Sequence, residues 1–159
     1  MVWGKRNTAI EVPMTNERER QTYYGAINLL TNAVHLQERP VGDGTSTVAY
    51  LRWCQTLYPD QKLLLLWDGA SYHRGQEMQT FLAQENAGLA EKEWKMTCLR
   101  FAPNAPEQNP VEDLWLKGKT YLRKQFAVNK TFAAVKHSFS TFLRALSFES
   151  IKCRWYWPD

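Results

Sequence analysis

Two segments of this 159-residue chain carry carboxylates in settings that suit chemistry. The first reads Trp67-Asp68-Gly69-Ala70-Ser71-Tyr72-His73. An aspartate directly after a short apolar run stands at the carboxyl end of a strand, where open α/β sheets place ligands. The same Asp-Gly pair is also an ordinary turn, and His73 alone is equally consistent with a packed or surface histidine. The second segment runs from Phe101 through Pro103, Pro106, Glu107, Asn109 and Pro110 to Glu112. Asn109 suits a helix N-cap and Pro110 the first helical position. Glu112 then falls where a capping box would claim its carboxylate for the helix itself. Capping accounts for Asn, Pro and Glu at this spacing. It does not account for the doubly prolyl loop that delivers the helix start to one fixed place, and fixed delivery of a carboxylate is what a metal site requires.

Beyond Glu112, residues Val111, Trp115, Gly118 and Leu122 recur at helical spacing and form an inward stripe. Glu112, Lys119 and Arg123 lie on a neighbouring face, with Lys124 following. The carboxylate therefore looks along a surface that becomes cationic, and a phosphodiester there would meet the acid's metal first and basic side chains next. The plainer reading is an amphipathic helix with Lys and Arg toward its favourable carboxyl end. Charge is unevenly placed along the chain. Residues 116–159 hold 9 Lys/Arg against 2 acids, whereas residues 1–115 hold 11 against 14. A basic block attracts phosphate backbones, although a solvated helical surface gives the same count.

The elements that must position these acids follow from periodicity. Residues 23–30 and 33–38 read as two strands joined at Thr31-Asn32. Thr45 or Ser46 would cap a helix to about Leu57, with Val48, Leu51 and Trp53 among its apolar residues and Pro59 beyond it. Residues 62–67 (KLLLLW) form a short continuous apolar run, the mark of a strand buried on both faces. A helix over 75–86 would bury Met78, Phe81 and Leu82, ending near Gly88, and residues 96–101 alternate as another strand. Helices follow over 110–126 and 132–146, the last with Phe132, Val135, Phe139, Phe142 and Leu146 on one stripe. This order implies one α/β domain over residues 1–159, a mixed sheet flanked by helices.

Composition narrows the class. A hydrophobic fraction of 44% and a charged fraction of 23% describe an ordinary globular chain long enough for a real core. The longest strongly apolar run, residues 63–67, is far too short to span a membrane. The amino terminus has no signal-peptide core. Cys54, Cys98 and Cys153 are odd in number and far apart, which fits a reducing cytoplasm. Together with His35, His73 and His137 they show no zinc spacing.

Taken together, Asp68 with His73 and the Pro103, Pro106, Asn109, Pro110, Glu112, Trp115 series resemble the DDE superfamily of transposases and integrases, in its insertion-sequence and mariner branch. Gly69 stands where the family usually has Asn, and the hairpin around Tyr24-Gly25-Ala26 is similar too. The resemblance implies a ribonuclease-H-like fold lacking its first central strand, with Asp68 and Glu112 as the second and third acidic metal ligands and His73 and Asn109 in support. It implies two Mg²⁺ or Mn²⁺ ions, about 3.5–4 Å apart, for DNA cleavage and strand transfer. It further implies Lys119, Arg123 and Lys124 against DNA, transposon ends and target as substrates, a homodimer to handle two ends, and a cytoplasmic or nucleoid location in a prokaryote. The family's first aspartate lies upstream of a segment like Val2-Trp3-Gly4, so the resemblance implies an upstream piece that supplies the missing strand. Glu11, Glu17, Glu19 and Asp43 are no convincing replacement, and the family's amino-terminal helix-turn-helix region has no counterpart here. The chain would then be a fragment, half of a split gene or a decayed copy, doubtful as an enzyme by itself. A hydrolysis-only ribonuclease-H-like nuclease and a noncatalytic DNA-binding or assembly remnant are the alternatives.

Overall fold

The computed structural model describes residues 19–102 and 108–146. Strand β1 (Thr22–Ile27) pairs antiparallel with β2 (Val34–Arg39), in a register that sets Tyr24 opposite Gln37 and Gly25 opposite Leu36. Asn28 shapes the connection: its side-chain oxygen accepts from the backbone N–H groups of Leu30 and Thr31. Asn32 takes the left-handed conformation, φ 58°, which Asn tolerates better than most residues.

Helix α1 (Gly44–Leu57) follows, and its cap differs from expectation. Asp43, rather than Thr45 or Ser46, accepts from the Ser46 N–H at 2.7 Å. That carboxylate is committed to the helix end, where an acid is favoured by both hydrogen bonding and the helix dipole. The chain continues through β3 (Leu63–Trp67), a 3-10 turn (Ser71–Arg74), α2 (Gln76–Glu85), a second short 3-10 turn, and β4 (Met96–Arg100). Strands β3 and β4 are parallel, Leu65 opposite Cys98. Helices α3 (Val111–Lys124) and α4 (Phe132–Arg144) complete the described order.

Antiparallel and parallel pairing are thus both present, in two ladders of two strands each. Among the described residues nothing pairs with the second edge of β1 or of β3.

The period of two along β1 sends neighbouring tyrosines to opposite faces. Tyr23 meets Phe139 of α4, with ring centroids 4.9 Å apart, and Tyr24 meets Tyr50 of α1 at 5.4 Å. The hairpin is therefore held between α1 on one side and the α3–α4 pair on the other. One core cluster joins Tyr50, Leu51 and Cys54 of α1 to Met78 and Phe81 of α2 and Met96 of β4. The other joins Leu36 of β2 to Leu114 of α3 and to Phe139 and Leu143 of α4. The stripes read from sequence on these helices are the packed ones, but the most deeply buried members, Leu114 and Leu143, were not among the residues singled out.

Burial on both faces does not hold for β3. Leu63, Leu65 and Trp67 pack against the α1–α2 core, whereas Leu64 and Leu66 keep 59% and 44% of their surface exposed. Only one side of this parallel ladder is covered by described elements.

Two glycines set helix positions. A Cβ on Gly25 would sit 2.7 Å from the Trp115 ring, so α3 lies closer to β1 than any other residue there would permit. Gly118 does the same for α3 and α4, where a Cβ would collide with the Phe139 ring.

Candidate active site

Asp68 leaves the end of β3 at the carboxyl edge of the parallel ladder. One of its side-chain oxygens accepts from the Ala70 N–H at 3.0 Å and lies 3.2 Å from His73 Nδ1. The carboxylate is 57% exposed, while the His73 side chain is only 12% exposed. The 3-10 turn folds His73 back so that its ring stacks on Trp67, with centroids 4.3 Å apart and planes within 6°. Burial lowers the His73 pKa; the backbone carbonyl and carboxylate of Asp68 pull it back up. The ring is thus a largely covered prop behind an exposed acid. The sequence carried the signal for this contact, an aromatic at the strand end six residues before a histidine, but the stack itself was not foreseen.

Glu112 lies in the first turn of α3. The expected N-cap is shifted by one residue: Pro110 occupies that place with helical φ, and the helix starts at Val111. Asn109 still serves the helix end, because its side-chain oxygen accepts from the Val111 N–H at 3.2 Å and its carbonyl from the Glu112 N–H at 3.0 Å. The fixed φ of proline lets the first turn begin there without a donor. Pro103, Pro106 and Glu107 lie outside the described residues. The loop's far end is tied where Gln108 accepts from the Ala102 N–H.

Residues beside each acid, though neither Asp68 nor Glu112 itself, line one cavity. A cavity of about 280 Å³ is lined by Trp67 and His73 from the Asp68 segment and by Asn109, Pro110 and Val111 from the Glu112 segment. A space of that size exceeds what a single water needs. Phe101 lines it as well and extends the parallel ladder, its N–H donating to the Trp67 carbonyl at 2.9 Å.

Along α3, Glu112, Leu116, Lys119, Thr120 and Arg123 are all exposed. Spacings of 4, 7, 8 and 11 put them on one helical face. Lys124 is exposed too, about a third of a turn off that line.

Two carboxylates are the right kind of ligand for Mg²⁺, which binds through one or two of them and keeps several waters. Among the described residues, however, no three His, Cys, Asp or Glu side chains cluster closely enough to hold an ion. Asp68, His73 and Glu112 therefore do not close a ligand set; the donors fit in kind and fall short in number. Asp43 contributes none, being spent on the cap of α1. Glu11 and Glu17 lie outside the described residues.

Comparison with known proteins decides the family. A family model described as DDE superfamily endonuclease matches residues 1–133. The chain belongs to the DDE superfamily of endonucleases. No curated protein matches it. Among solved structures it is similar to a chain in the cryo-electron-microscopy structure of the simian T-cell lymphotropic virus intasome in complex with PP2A regulatory subunit B56 gamma, at TM-score 0.56 and 16% identity. That likeness covers 84% of this DDE chain and 46% of the other, so the matched part spans less than half of its structural neighbour. The ribonuclease-H-like α/β class expected from the sequence is thereby the observed fold. Among the described residues no helix is long and apolar enough to cross a membrane.

Proposed function

We propose that this DDE endonuclease chain provides part of a transposase catalytic domain, in which Asp68 and Glu112 hold divalent metal for DNA cleavage and strand transfer. The observation that carries this reading is the shared cavity: the strand end bearing Asp68 and the helix start bearing Glu112 both open onto it. Bound metal, Mg²⁺ or Mn²⁺, would activate an attacking water or 3′-hydroxyl and stabilise the leaving oxygen.

The chain's own residues divide the remaining work. His73, buried against Trp67, fixes the direction of the Asp68 carboxylate. Asn109 holds the first turn of α3 and with it Glu112. Lys119, Arg123 and Lys124 lie along the phosphate path, supplying sequence-independent affinity and register. A third acid comes from a segment beyond the described residues, and two such domains handle the two transposon ends.

Mn²⁺ titration of the purified chain, followed by calorimetry, tests the pair. Asp68→Asn and Glu112→Gln are each expected to weaken binding at least tenfold, with the circular dichroism spectrum unchanged. Addition of the upstream segment is expected to yield metal-dependent nicking of terminal-repeat DNA and joining of 3′ ends. If both variants bind Mn²⁺ and cut as the parent does, the site assignment is wrong. If only hydrolysis products form, the chain is a nuclease without transfer. Salt-sensitive DNA binding that survives both substitutions, with no cutting under any condition, would mark a noncatalytic remnant.

A further inference from the structure

The tip of the β1–β2 hairpin is tied to the end of α1 by three side chains that the proposed chemistry does not use. Asn28 Nδ2 donates to the Tyr58 hydroxyl at 2.9 Å, and that same hydroxyl lies 2.7 Å from His35 Nε2. Each of the three is held from behind. The Asn28 side-chain oxygen accepts from the Leu30 and Thr31 N–H groups, so its amide nitrogen has to face Tyr58. Tyr58 closes α1 at its C-cap, ahead of Pro59, which disfavours helical backbone in the residue before it. The His35 ring meets the Trp53 and Tyr58 rings edge-on, with centroids 6.1 Å and 5.5 Å away. Its carbonyl accepts from the Tyr50 hydroxyl at 2.9 Å.

These partners fix where the protons sit. The Tyr58 oxygen already accepts from Asn28, and its single proton is left for His35. A neutral imidazole with its hydrogen on Nδ1 offers Nε2 as the acceptor, whereas an imidazolium has donors at both nitrogens and no acceptor. Protonation therefore removes the O–H···N bond, sets two donors against one oxygen and turns the tyrosine proton away.

We propose that Asn28, His35 and Tyr58 form a proton-responsive clasp, which holds the hairpin tip against α1 while His35 is neutral and loosens it once the ring is charged.

The surroundings favour the neutral ring. The elements packed on it are β1 and α1. From β1 come Ala26, opposite it in the register, and Asn28; from α1 come Tyr50, Trp53 and Tyr58. The tyrosines are the titratable groups in that set, and burial raises the pKa of Tyr50, which keeps its proton. On the ring's own strand Arg39 shares its face and donates to Gln37. No carboxylate among these groups would compensate an imidazolium, and burial lowers the His35 pKa. The clasp is thus closed above pH 6.5 and opens as pH falls through the lowered folded value. Leu29, the residue after Asn28, lines the cavity beside the two acid segments, so a loosened tip reaches that cavity's wall.

The test uses the full chain with neither metal nor DNA present, so its outcome is separate from that of the metal-site reading. At pH 7.5, nitrogen NMR of the histidine rings should show His35 protonated on Nδ1 and bare on Nε2. Hydrogen-exchange protection within residues 28–33 should fall between pH 7 and pH 5 by about threefold to tenfold, the worth of roughly one hydrogen bond. Tyr58→Phe, which has no hydroxyl, should show the lowered protection at both pH values, with unchanged circular dichroism. His35→Gln, whose side-chain oxygen can accept from Tyr58 but does not titrate, should keep the higher protection at both. His73 is present in all three proteins, so its own titration cancels from the comparison. Protection in the parent that does not change with pH overturns the inference. So does a neutral His35 ring protonated on Nε2 at pH 7.5, or the parent's pH response surviving in either variant.

Discussion

Replacing Gly25 with Ala should destabilise the domain by a calculable route. The new Cβ would lie 2.7 Å from Trp115 Cη2 and 2.9 Å from Cζ2, with Leu114 Cδ2 at 3.7 Å. Carbon atoms pack best at about 3.5–4.0 Å, so the indole has to withdraw by roughly 1 Å or the strand has to bend. Neither motion is easy. The Trp115 ring lies parallel to Phe139, and Phe139 is pressed on Gly118, so a shift of the indole propagates through the α3–α4 contact. Overpacking of this kind costs about 1–3 kcal/mol. For a chain of this size that is roughly 2–12 °C in Tm, at about 2–4 °C per kcal/mol. Urea denaturation of Gly25→Ala, Trp115→Phe and the double variant would measure it. The smaller ring removes the colliding atoms, so the double variant should be more stable than the sum of the two single effects by about 0.5–3 kcal/mol. Gly69→Ala is the matched control: nothing lies within 4 Å of its Cβ position and no positive φ is needed, so it should be neutral or stabilising by about 0.4–1 kcal/mol. An unchanged midpoint for Gly25→Ala, or strict additivity with Trp115→Phe, would refute the packing account. The effect reaches the candidate site, because Trp115 stands three residues after Glu112 on the same helix.

Two further outcomes are expected. Asp43→Ala removes the side-chain cap of α1 and should lower stability by about 0.5–2 kcal/mol, measurable in the same urea assay; Asp43→Asn, which keeps an acceptor, should recover most of it. Burial lowers the pKa of both His35 and His73. The unfolded histidines, at about 6.5, then take up protons before the folded ones do, so their contribution to stability is complete above pH 6.5 and is lost as pH falls through the lowered folded values. The urea midpoint should therefore drop between pH 7 and pH 5.5, and His73→Phe, which can keep a ring against Trp67, should flatten that drop. A midpoint that rises on acidification would contradict the assigned direction.

Local pattern was enough to read the element order, the packed stripes of α3 and α4, and the two acid-bearing segments, because periodicity and capping act over a few residues. The same residues also pointed to the DDE superfamily. Sequence alone misassigned the cap of α1: Asp43, Thr45 and Ser46 lie within four residues and all suit the place, and it is Asp43 that accepts from the Ser46 N–H. It also took the residue run Leu63–Trp67 to be buried on both faces: a leucine run states only that its side chains are apolar, and what covers each face is a property of other elements. Tertiary structure alone decided the rest. It set Gly25 beneath Trp115, stacked His73 on Trp67, and opened the Asp68 and Glu112 segments onto a common space. The Gly25–Trp115 contact and the common space join residues tens of positions apart, fixed by how helices and ladders pack; the His73–Trp67 stack spans six residues, but the turn between them, not their spacing, brings the rings together.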